Sequence, residues 1–225
     1  MSKPLLTVTL NPALDLTGHI DQIQVGSVNV VKSGSLHPAG KGINVARVLR
    51  DLGANVAVSG ILGAGNQQAF RDLFAQCGIK DHFMAVPGDT RINVKMVEDN
   101  GEVTDLNFPG VAVADDELKE FEAHLLRQAE QYEYIVMAGS LPRGISAEAS
   151  RDLIAKLQQK GAKVLFDSSK HALVKGLEAK PFLIKPNEVE LAEWAGQPLD
   201  TEEALRAQAE KLCADGIANV VISRG

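Results

Sequence analysis

Apolar and polar residues follow two different rhythms along this chain. The first alternates short β-rich runs with helical patterns, and it predicts strands at residues 5–10, 56–62, 134–138, 163–166, 182–184 and 219–222. Helices are predicted between these strands, at residues 44–52, 67–76, 115–132, 147–160, 188–195 and 201–215, with a short helical turn near residue 171. Strands that alternate with helices form βαβ units, so we expect an α/β fold in which helices cover both faces of a mostly parallel sheet.

Two segments do not follow that rhythm. Residues 14–36 alternate around 20–25 and 28–31 and are interrupted by glycines, which is typical of short antiparallel strands joined by turns. Residues 92–97 and 102–108 flank a turn that contains Asn100-Gly101, a strong hairpin signal. We interpret both segments as insertions that build a second, small β sheet. We expect that sheet to act as a lid, formed from about residues 12–36 and 90–108.

Composition and charge exclude several classes of protein. The 225 residues suffice for one α/β domain with a large buried core. Only 4% of the residues are aromatic, and 23 Lys and Arg stand against 29 Asp and Glu for a net charge of -6, so we expect no nucleic-acid partner. The first ten residues are too short and too polar for a signal peptide, and no run of residues is long enough to span a bilayer. We therefore expect a cytoplasmic protein with no membrane partner.

The most informative stretch is AGKGIN at residues 39–44, directly before a helical pattern. Gly40 and Gly42 leave room for a ligand to approach the backbone N–H groups, and the helix that follows adds oriented donors. Lys41 supplies a positive charge, and Asn44 can both donate and accept hydrogen bonds. The stretch therefore suits an anionic, polyhydroxylated small molecule. A plain turn with a solvated lysine is the alternative, and the motif alone does not decide between them.

Polar side chains follow nearly every predicted strand of the parallel sheet. They include Asp15, Ser140, Asp167, Lys185, Asn187, Glu190 and Ser223. Each of them alone could be a turn residue or a helix cap, but ligands of open parallel sheets bind beyond the carboxyl ends of the strands. Asn187 and Glu190 share one helix face and could hold Mg²⁺ through its waters, while Lys185 is placed to meet a phosphate.

Arg91 opens a predicted strand of the lid and could clamp a phosphate through its guanidinium group. The alternative is a solvated cation on an edge strand. A lid that excludes water suits phosphoryl transfer.

No Gly-x-Gly-x-x-Gly motif follows the first strand, which disfavours a dinucleotide-dependent oxidoreductase. We interpret residues 63–66 as the entry to a helix, with Asn66 as its cap.

Together these motifs resemble the PfkB (ribokinase-like) carbohydrate kinases. The first family signature runs from residue 39 to residue 53, and the stretches at 11–15, 139–142, 167–169 and 185–190 follow in the order and spacing of the family. The resemblance implies a ribokinase-like three-layer α/β/α domain with ATP and Mg²⁺ as cofactors. It also implies a β lid that often serves as a dimer clasp, so we expect a homodimer.

The resemblance further implies a reaction, the phosphorylation of fructose 1-phosphate to fructose 1,6-bisphosphate. Tagatose 6-phosphate and fructose 6-phosphate are alternative substrates, and a non-catalytic sugar-phosphate-binding module is the competing class of function. Ser27 and Asn29 stand where the kinases of fructose 6-phosphate tend to carry basic residues, which disfavours a 6-phosphate substrate.

Roles for particular residues come from the same resemblance. The residues implied to bind the sugar phosphate are Asp15, Gly40, Lys41, Gly42, Asn44, Arg91 and Ser140. Those implied to serve ATP are Lys185, Asn187, Glu190, Ser223 and Gly225, with Glu190 and, through water, Asn187 at the metal.

One part of the family pattern is missing from this sequence. The second signature, Gly-Ala-Gly-Asp, supplies the catalytic base and an anion hole in the family, and the 225 residues do not contain it. We therefore expect residues 1–225 to form a single but incomplete kinase domain, truncated at its C-terminal end. Without the base and the anion hole, we expect this piece to have negligible activity.

Overall fold

Two β sheets form the framework of this computed structural model, which describes residues 4–224. The larger sheet contains β1 (Leu5–Thr9), β4 (Val56–Gly63), β5 (Lys80–Asp81), β6 (Met84–Val86), β9 (Tyr134–Ala138), β10 (Lys163–Asp167), β11 (Leu183–Ile184) and β12 (Asn219–Val220). The small sheet contains β2 (Ala13–Ile20), β3 (Ser33–Ala39), β7 (Ile92–Glu98) and β8 (Val103–Leu106). The helices are α1 (Lys41–Asp51), α2 (Gln68–Cys77), α3 (Asp115–Ala129), α4 (Ala147–Gln159), α5 (Lys170–Glu178), α6 (Glu188–Ala195) and α7 (Glu202–Ala214).

Every strand pair of the larger sheet is parallel, which confirms the expected α/β class. The strand order is β12-β11-β10-β9-β1-β4-β5, and β6 pairs with the end of β4. Central parallel strands are buried on both faces and read as continuous apolar runs. All eight residues of β4, VAVSGILG, are accordingly buried.

Two apolar clusters cover the two faces of the larger sheet. Phe121, Leu125 and Ile154 from α3 and α4 pack in one cluster, which continues under α5, α6 and α7. Ile43 from α1 and Phe70 from α2 pack in the other. Burial on both faces fixes the sheet, and with it the positions of the strand ends that carry the candidate site.

The small sheet has the order β3-β2-β7-β8, and its central pair β2–β7 is parallel while its outer pairs are antiparallel. The antiparallel strands expected within residues 14–36 are confirmed as the pair β2–β3. The alternation around residues 20–25 and 28–31 does not mark them, because residues 21–32 form the loop between β2 and β3. The side chains of Val25, Val28 and Val30 are 96%, 93% and 80% exposed, so the alternation there reflects no burial within this chain. Asn29 instead fixes the loop by bonding both the N–H and the carbonyl of Gln24.

Other differences are smaller. The turn expected near residue 171 is the nine-residue helix α5. The strands β5 and β6 are two and three residues long, which is too short for a pattern to be visible. Helix α1 begins at Lys41 rather than at residue 44 and ends before Gly53, as predicted. Among residues 4–224, no helix combines the length and the apolar character that a membrane crossing requires.

Candidate functional site at the sheet edge

The glycine-rich stretch places the start of α1 against the end of β1. Gly40 has a φ of 147°, a conformation that side chains of L residues rarely adopt. A Cβ atom on Gly42 would lie 2.5 Å from Thr9 Oγ1 and 3.0 Å from the carbonyl oxygen of Val8. Glycine at these two positions therefore allows the helix to begin in contact with the strand, and the first-turn N–H groups of α1 become potential anion donors.

Two lysines from separate parts of the chain converge on one carboxylate. Lys41 Nζ lies 3.0 Å from Asp167 Oδ1, and Lys185 Nζ lies 3.4 Å from Asp167 Oδ2. The side chain of Asp167 is 16% exposed, whereas both lysines are about half exposed. The structure thus brings two predicted site residues together at the end of β10. The bridging position of Asp167 was not predicted, although its place after a buried strand was a signal.

Hydrogen bonds join the ends of β1, β9 and β10. Asn11 Nδ2 donates to Ser140 Oγ over 3.0 Å. The N–H of Gly139 donates to the carbonyl of Asp167 over 2.9 Å, and Ser168 Oγ donates to the carbonyl of Gly139 over 2.9 Å. Ser140 therefore lies on the same edge as the two lysines. Asn11 is nearly buried and is a site residue that the sequence analysis did not select.

Asp15 lies in the small sheet, one strand away from Asn93. The two residues face each other in the β2–β7 pairing, and Asn93 Nδ2 donates to Asp15 Oδ1 over 3.1 Å. Within the described residues, Asn93 Oδ1 is buried and has no hydrogen-bond partner. Asn93 was missed because the parallel pairing of β2 with β7 was not predicted.

Arg91 is also placed between the sheets, but its guanidinium group contacts backbone oxygens. It donates to the carbonyls of Asn11, Pro12 and Phe108 over 3.1, 3.3 and 3.3 Å. Burial lowers the pKa of Arg91, and the negative charge of Asp15 opposes that shift. The alternative of a solvated edge-strand cation is therefore wrong for this residue.

Three of the residues predicted to serve ATP, Asn187, Glu190 and Ser223, meet at the start of α6. Asn187 Oδ1 accepts from the N–H of Glu190 over 2.7 Å, and Glu190 Oε2 accepts from the N–H of Asn187 over 3.0 Å. This is a capping box, which also fixes both side chains in place. The N–H of Ser223 donates to the carbonyl of Pro186 over 3.1 Å, so Ser223 lies beside them. Gly225 lies outside the described residues.

The chemistry of these donors limits how a metal ion could be held. Residues 4–224 contain no group of three or more His, Cys, Asp or Glu side chains arranged to ligate a metal. Mg²⁺ usually retains several waters and takes one or two carboxylates together with the phosphates of its nucleotide. Glu190 and Asn187 fit that kind of water-bound Mg²⁺, and they do not form a metal cage by themselves.

The predicted cap at Asn66 is wrong. Asn66 Nδ2 donates to the carbonyl of Thr90, and the N–H of Thr90 donates to Asn66 Oδ1, both over 2.8 Å. The residue before α2 is Gln67, and its side chain makes no capping hydrogen bond. A side-chain amide can pair with a backbone N–H and carbonyl as a neighbouring strand would, and this long-range pairing replaces the local cap.

A parallel α/β sheet that gathers cations, a hydroxyl and amides at one edge, beside a separate small sheet, is typical of the open α/β proteins that bind small ligands beyond the carboxyl ends of their strands. The chain belongs to the pfkB family of carbohydrate kinases, whose sequence profile matches residues 8–225. The family and fold expected from the motifs are thereby confirmed.

Relatives and solved structures agree with this membership. The 1-phosphofructokinase of Vibrio cholerae is 52% identical over 225 residues, which cover 100% of this chain and 71% of the relative. The 1-phosphofructokinase of Escherichia coli K12 is 48% identical, with coverage of 100% and 72%. The crystal structure of Escherichia coli phosphofructokinase-2 with fructose-6-phosphate superposes with a TM-score of 0.90 at 28% identity, covering 100% of this chain and 75% of that one.

Proposed function

We propose that this chain belongs to an enzyme that phosphorylates fructose 1-phosphate with ATP to give fructose 1,6-bisphosphate. The observation that carries the proposal is the convergence of Lys41 and Lys185 on Asp167, next to the glycine-rich start of α1. Two cations at one sheet edge can attract both phosphorylated reactants. The relatives named 1-phosphofructokinase support fructose 1-phosphate as the substrate.

Particular residues take particular parts of the sugar phosphate in this proposal. Lys41 binds the phosphate already present, together with the N–H groups around Gly40 and Gly42. Asp15 accepts hydrogen bonds from sugar hydroxyls. The hydrogen bond from Asn93 Nδ2 to Asp15 Oδ1 orients the carboxylate for this role. Asn44 and Ser140 supply further donors and acceptors on either side. Arg91 contacts the phosphate through the guanidinium N–H groups that do not donate to the carbonyls of Asn11, Pro12 and Phe108.

A second group of residues binds the nucleotide in this proposal. Lys185 contacts an ATP phosphate, and Ser223 and Gly225 begin the loop that carries the nucleotide. Glu190 and Asn187 hold Mg²⁺ through its waters, which suits the capping geometry that fixes them. When bound, the metal offsets the negative charge of the phosphates.

We also infer that the 225-residue chain alone transfers no phosphoryl group at a useful rate. Its sequence lacks the Gly-Ala-Gly-Asp signature that supplies the base and the anion hole in the family. Electrostatic stabilisation and positioning provide most of the catalysis in phosphoryl transfer. A coupled assay in which this chain turns over at the rate of the full-length protein would contradict the inference.

A homodimer formed through the small sheet is a further part of the proposal. Apolar side chains on the small sheet and its loop are exposed, namely Leu16, Val25, Val28, Val30, Leu36, Val103 and Leu106. A surface of this kind is typical of a protein–protein contact. Light scattering that gives a monomer at micromolar concentration would contradict the dimer.

We also propose a cytoplasmic location, because the cytoplasm is the compartment that holds ATP and sugar phosphates.

The substrate is tested by assaying ADP release from the full-length protein with fructose 1-phosphate, tagatose 6-phosphate and fructose 6-phosphate. The proposal predicts the highest kcat/KM for fructose 1-phosphate. Higher values for either 6-phosphate would identify the alternative substrates. Binding of a sugar phosphate by calorimetry, with no ADP released in any assay, would identify a non-catalytic binding module instead.

A further inference from the structure

The polypeptide crosses between the larger sheet and the small sheet at four places. The crossings are residues 10–12 between β1 and β2, residue 40 between β3 and α1, residues 87–91 between β6 and β7, and residues 107–114 between β8 and α3. Together with the packing of Leu14 in the second apolar cluster, these crossings determine how the small sheet is oriented over the edge that carries Lys41 and Ser140.

The side chain of Arg91 connects three of the four crossings. Arg91 belongs to the third crossing, and its Nη2 and Nε atoms donate to the carbonyls of Asn11 and Pro12 in the first. Its Nη1 atom donates to the carbonyl of Phe108 in the last. The carbonyl of Arg91 itself accepts from the N–H of Leu14 over 2.8 Å, at the start of β2.

The partners of Arg91 are themselves fixed to the larger sheet. The side chain of Asn11 donates to Ser140 Oγ, and a Cβ on Gly110 would lie only 1.9 Å from Asn11 Oδ1. The neighbouring Thr90 is held through both its N–H and its carbonyl by Asn66. The small sheet therefore cannot move relative to the larger sheet unless the hydrogen bonds of the Arg91 guanidinium group break.

We propose that Arg91 is a positioning residue that sets the orientation of the small sheet over the sheet edge, whatever sugar phosphate the site accepts. Guanidinium has five N–H donors in a rigid plane, and three of them bind carbonyls of two other crossings here. An ammonium group is a point charge on a flexible stem and lacks this fixed fork of donors. The role is distinct from phosphate binding, because it operates before any ligand arrives.

Hydrogen–deuterium exchange on the ligand-free chain tests this role. Arg91→Lys keeps the positive charge and Arg91→Met keeps only the length, so both lose the planar fork of donors. Both variants should accelerate exchange about tenfold or more in peptides from β2, β7 and the four crossings, and leave β1 and β9 unchanged. Lys95→Met is the matched control, because Lys95 is an exposed cation of the neighbouring strand β7, with its Nζ 3.9 Å from Asp105 Oδ1, and it should change neither region.

Two results would overturn the role. Unchanged exchange in the small sheet of Arg91→Lys would mean that the charge suffices and that the carbonyl contacts position nothing. Faster exchange across both sheets would mean that Arg91 contributes to stability in general. If Arg91→Met does not fold, the Arg91→Lys variant alone decides between these outcomes.

Kinetics of the full-length protein add a second readout. A positioning role predicts that Arg91→Lys lowers kcat for fructose 1-phosphate, since the sheet that carries Asp15 is misplaced in the complex. A role in phosphate binding alone predicts a higher KM with kcat unchanged, and that result would overturn the proposal. The exchange experiment uses no substrate, so a wrong substrate assignment would leave its outcome intact.

Discussion

The two sheets of this protein are held together by different means. All eight residues of β4 in the larger sheet are buried, whereas all four residues of β8 in the small sheet are exposed. Burial of apolar area on both faces stabilises the larger sheet. The small sheet buries fewer side chains, among them Leu14 and Ile20 of β2, and it is also held by strand pairing and by polar contacts at its crossings. The larger sheet can therefore serve as a rigid base, while the small sheet belongs to the less stable part of the molecule, which can move.

The difference extends to the candidate site. Ser140 and Lys185 follow strands of the larger sheet, and Lys41 begins α1, which packs against that sheet. Asp15 and Arg91 belong to the small sheet or its crossings. A ligand that contacts both groups would bridge a rigid and a movable part. The function proposed above therefore requires the small sheet to keep one orientation over the sheet edge.

The largest expected difference between the sheets comes from one substitution made in each. Ile61 in β4 is fully buried, and Ile92 in β7 is 40% exposed. Ile61→Ala should lower the free energy of unfolding by about 2–5 kcal/mol, because it leaves a cavity. Ile92→Ala should cost about 1 kcal/mol or less. Urea denaturation measures both, and equal losses would contradict the contrast between the sheets.

Glycines sharpen the comparison with a smaller effect. Gly42→Ala places a methyl group 2.5 Å from Thr9 Oγ1 in the larger sheet and should cost about 1–3 kcal/mol of stability. Gly34→Ala is the matched variant in the small sheet, where the nearest atom, the carbonyl oxygen of Thr17, is 3.5 Å away. We expect that variant to be within about 1 kcal/mol of the wild type. A Gly42→Ala protein as stable as the wild type would show that the start of α1 is not in tight contact with β1.

The smallest effect is a pH dependence of stability that comes from His82, between β5 and β6 and away from the candidate site. His82 Nε2 lies 3.0 Å from the hydroxyl of Tyr132, and burial lowers the pKa of His82, with Lys80 and His124 adding to the shift and Asp81 opposing it. The unfolded chain, in which His82 has a pKa near 6.5, then binds a proton that the folded chain does not. Stability should therefore fall as the pH drops below that value toward the lower pKa of the folded state.

Urea midpoints at pH 7.5 and pH 5.5 measure this effect. The wild type should lose stability at the lower pH, and His82→Gln should lose less. An equal loss in the two proteins would assign the pH dependence to other groups.

The sequence predicts the larger sheet well because burial on both faces leaves continuous apolar runs between helical patterns. It predicts the small sheet less well, since the exposed valines at residues 25, 28 and 30 imitate a strand without being buried. The parallel pairing of β2 with β7 joins residues that are 78 positions apart, such as Asp15 and Asn93, and leaves no local signal. That pairing is also what places Asn93 beside Asp15.

The candidate site shows the same division. Lys41, Ser140 and Lys185 could be selected because each follows a recognisable strand or glycine-rich stretch. The bridge through Asp167 and the pairing of the Asn66 side chain with the backbone of Thr90 could not, because both join residues that are not neighbours in the chain. Asn66 also had a plausible local role as a helix cap, and the long-range hydrogen bonds replaced it.

The central claim is that Lys41, at the sheet edge where it meets Asp167, binds the sugar phosphate. Lys41→Met in the full-length protein tests it, with Lys156→Met as the matched control, because Lys156 is a comparably exposed lysine that pairs with Glu122 over 2.6 Å, away from the sheet edge. Steady-state kinetics with fructose 1-phosphate should show a kcat/KM at least about tenfold lower for Lys41→Met, since a charged hydrogen bond contributes about 1.5–3 kcal/mol. The control should match the wild type. Equal kcat/KM values for the wild type and Lys41→Met would contradict the claim.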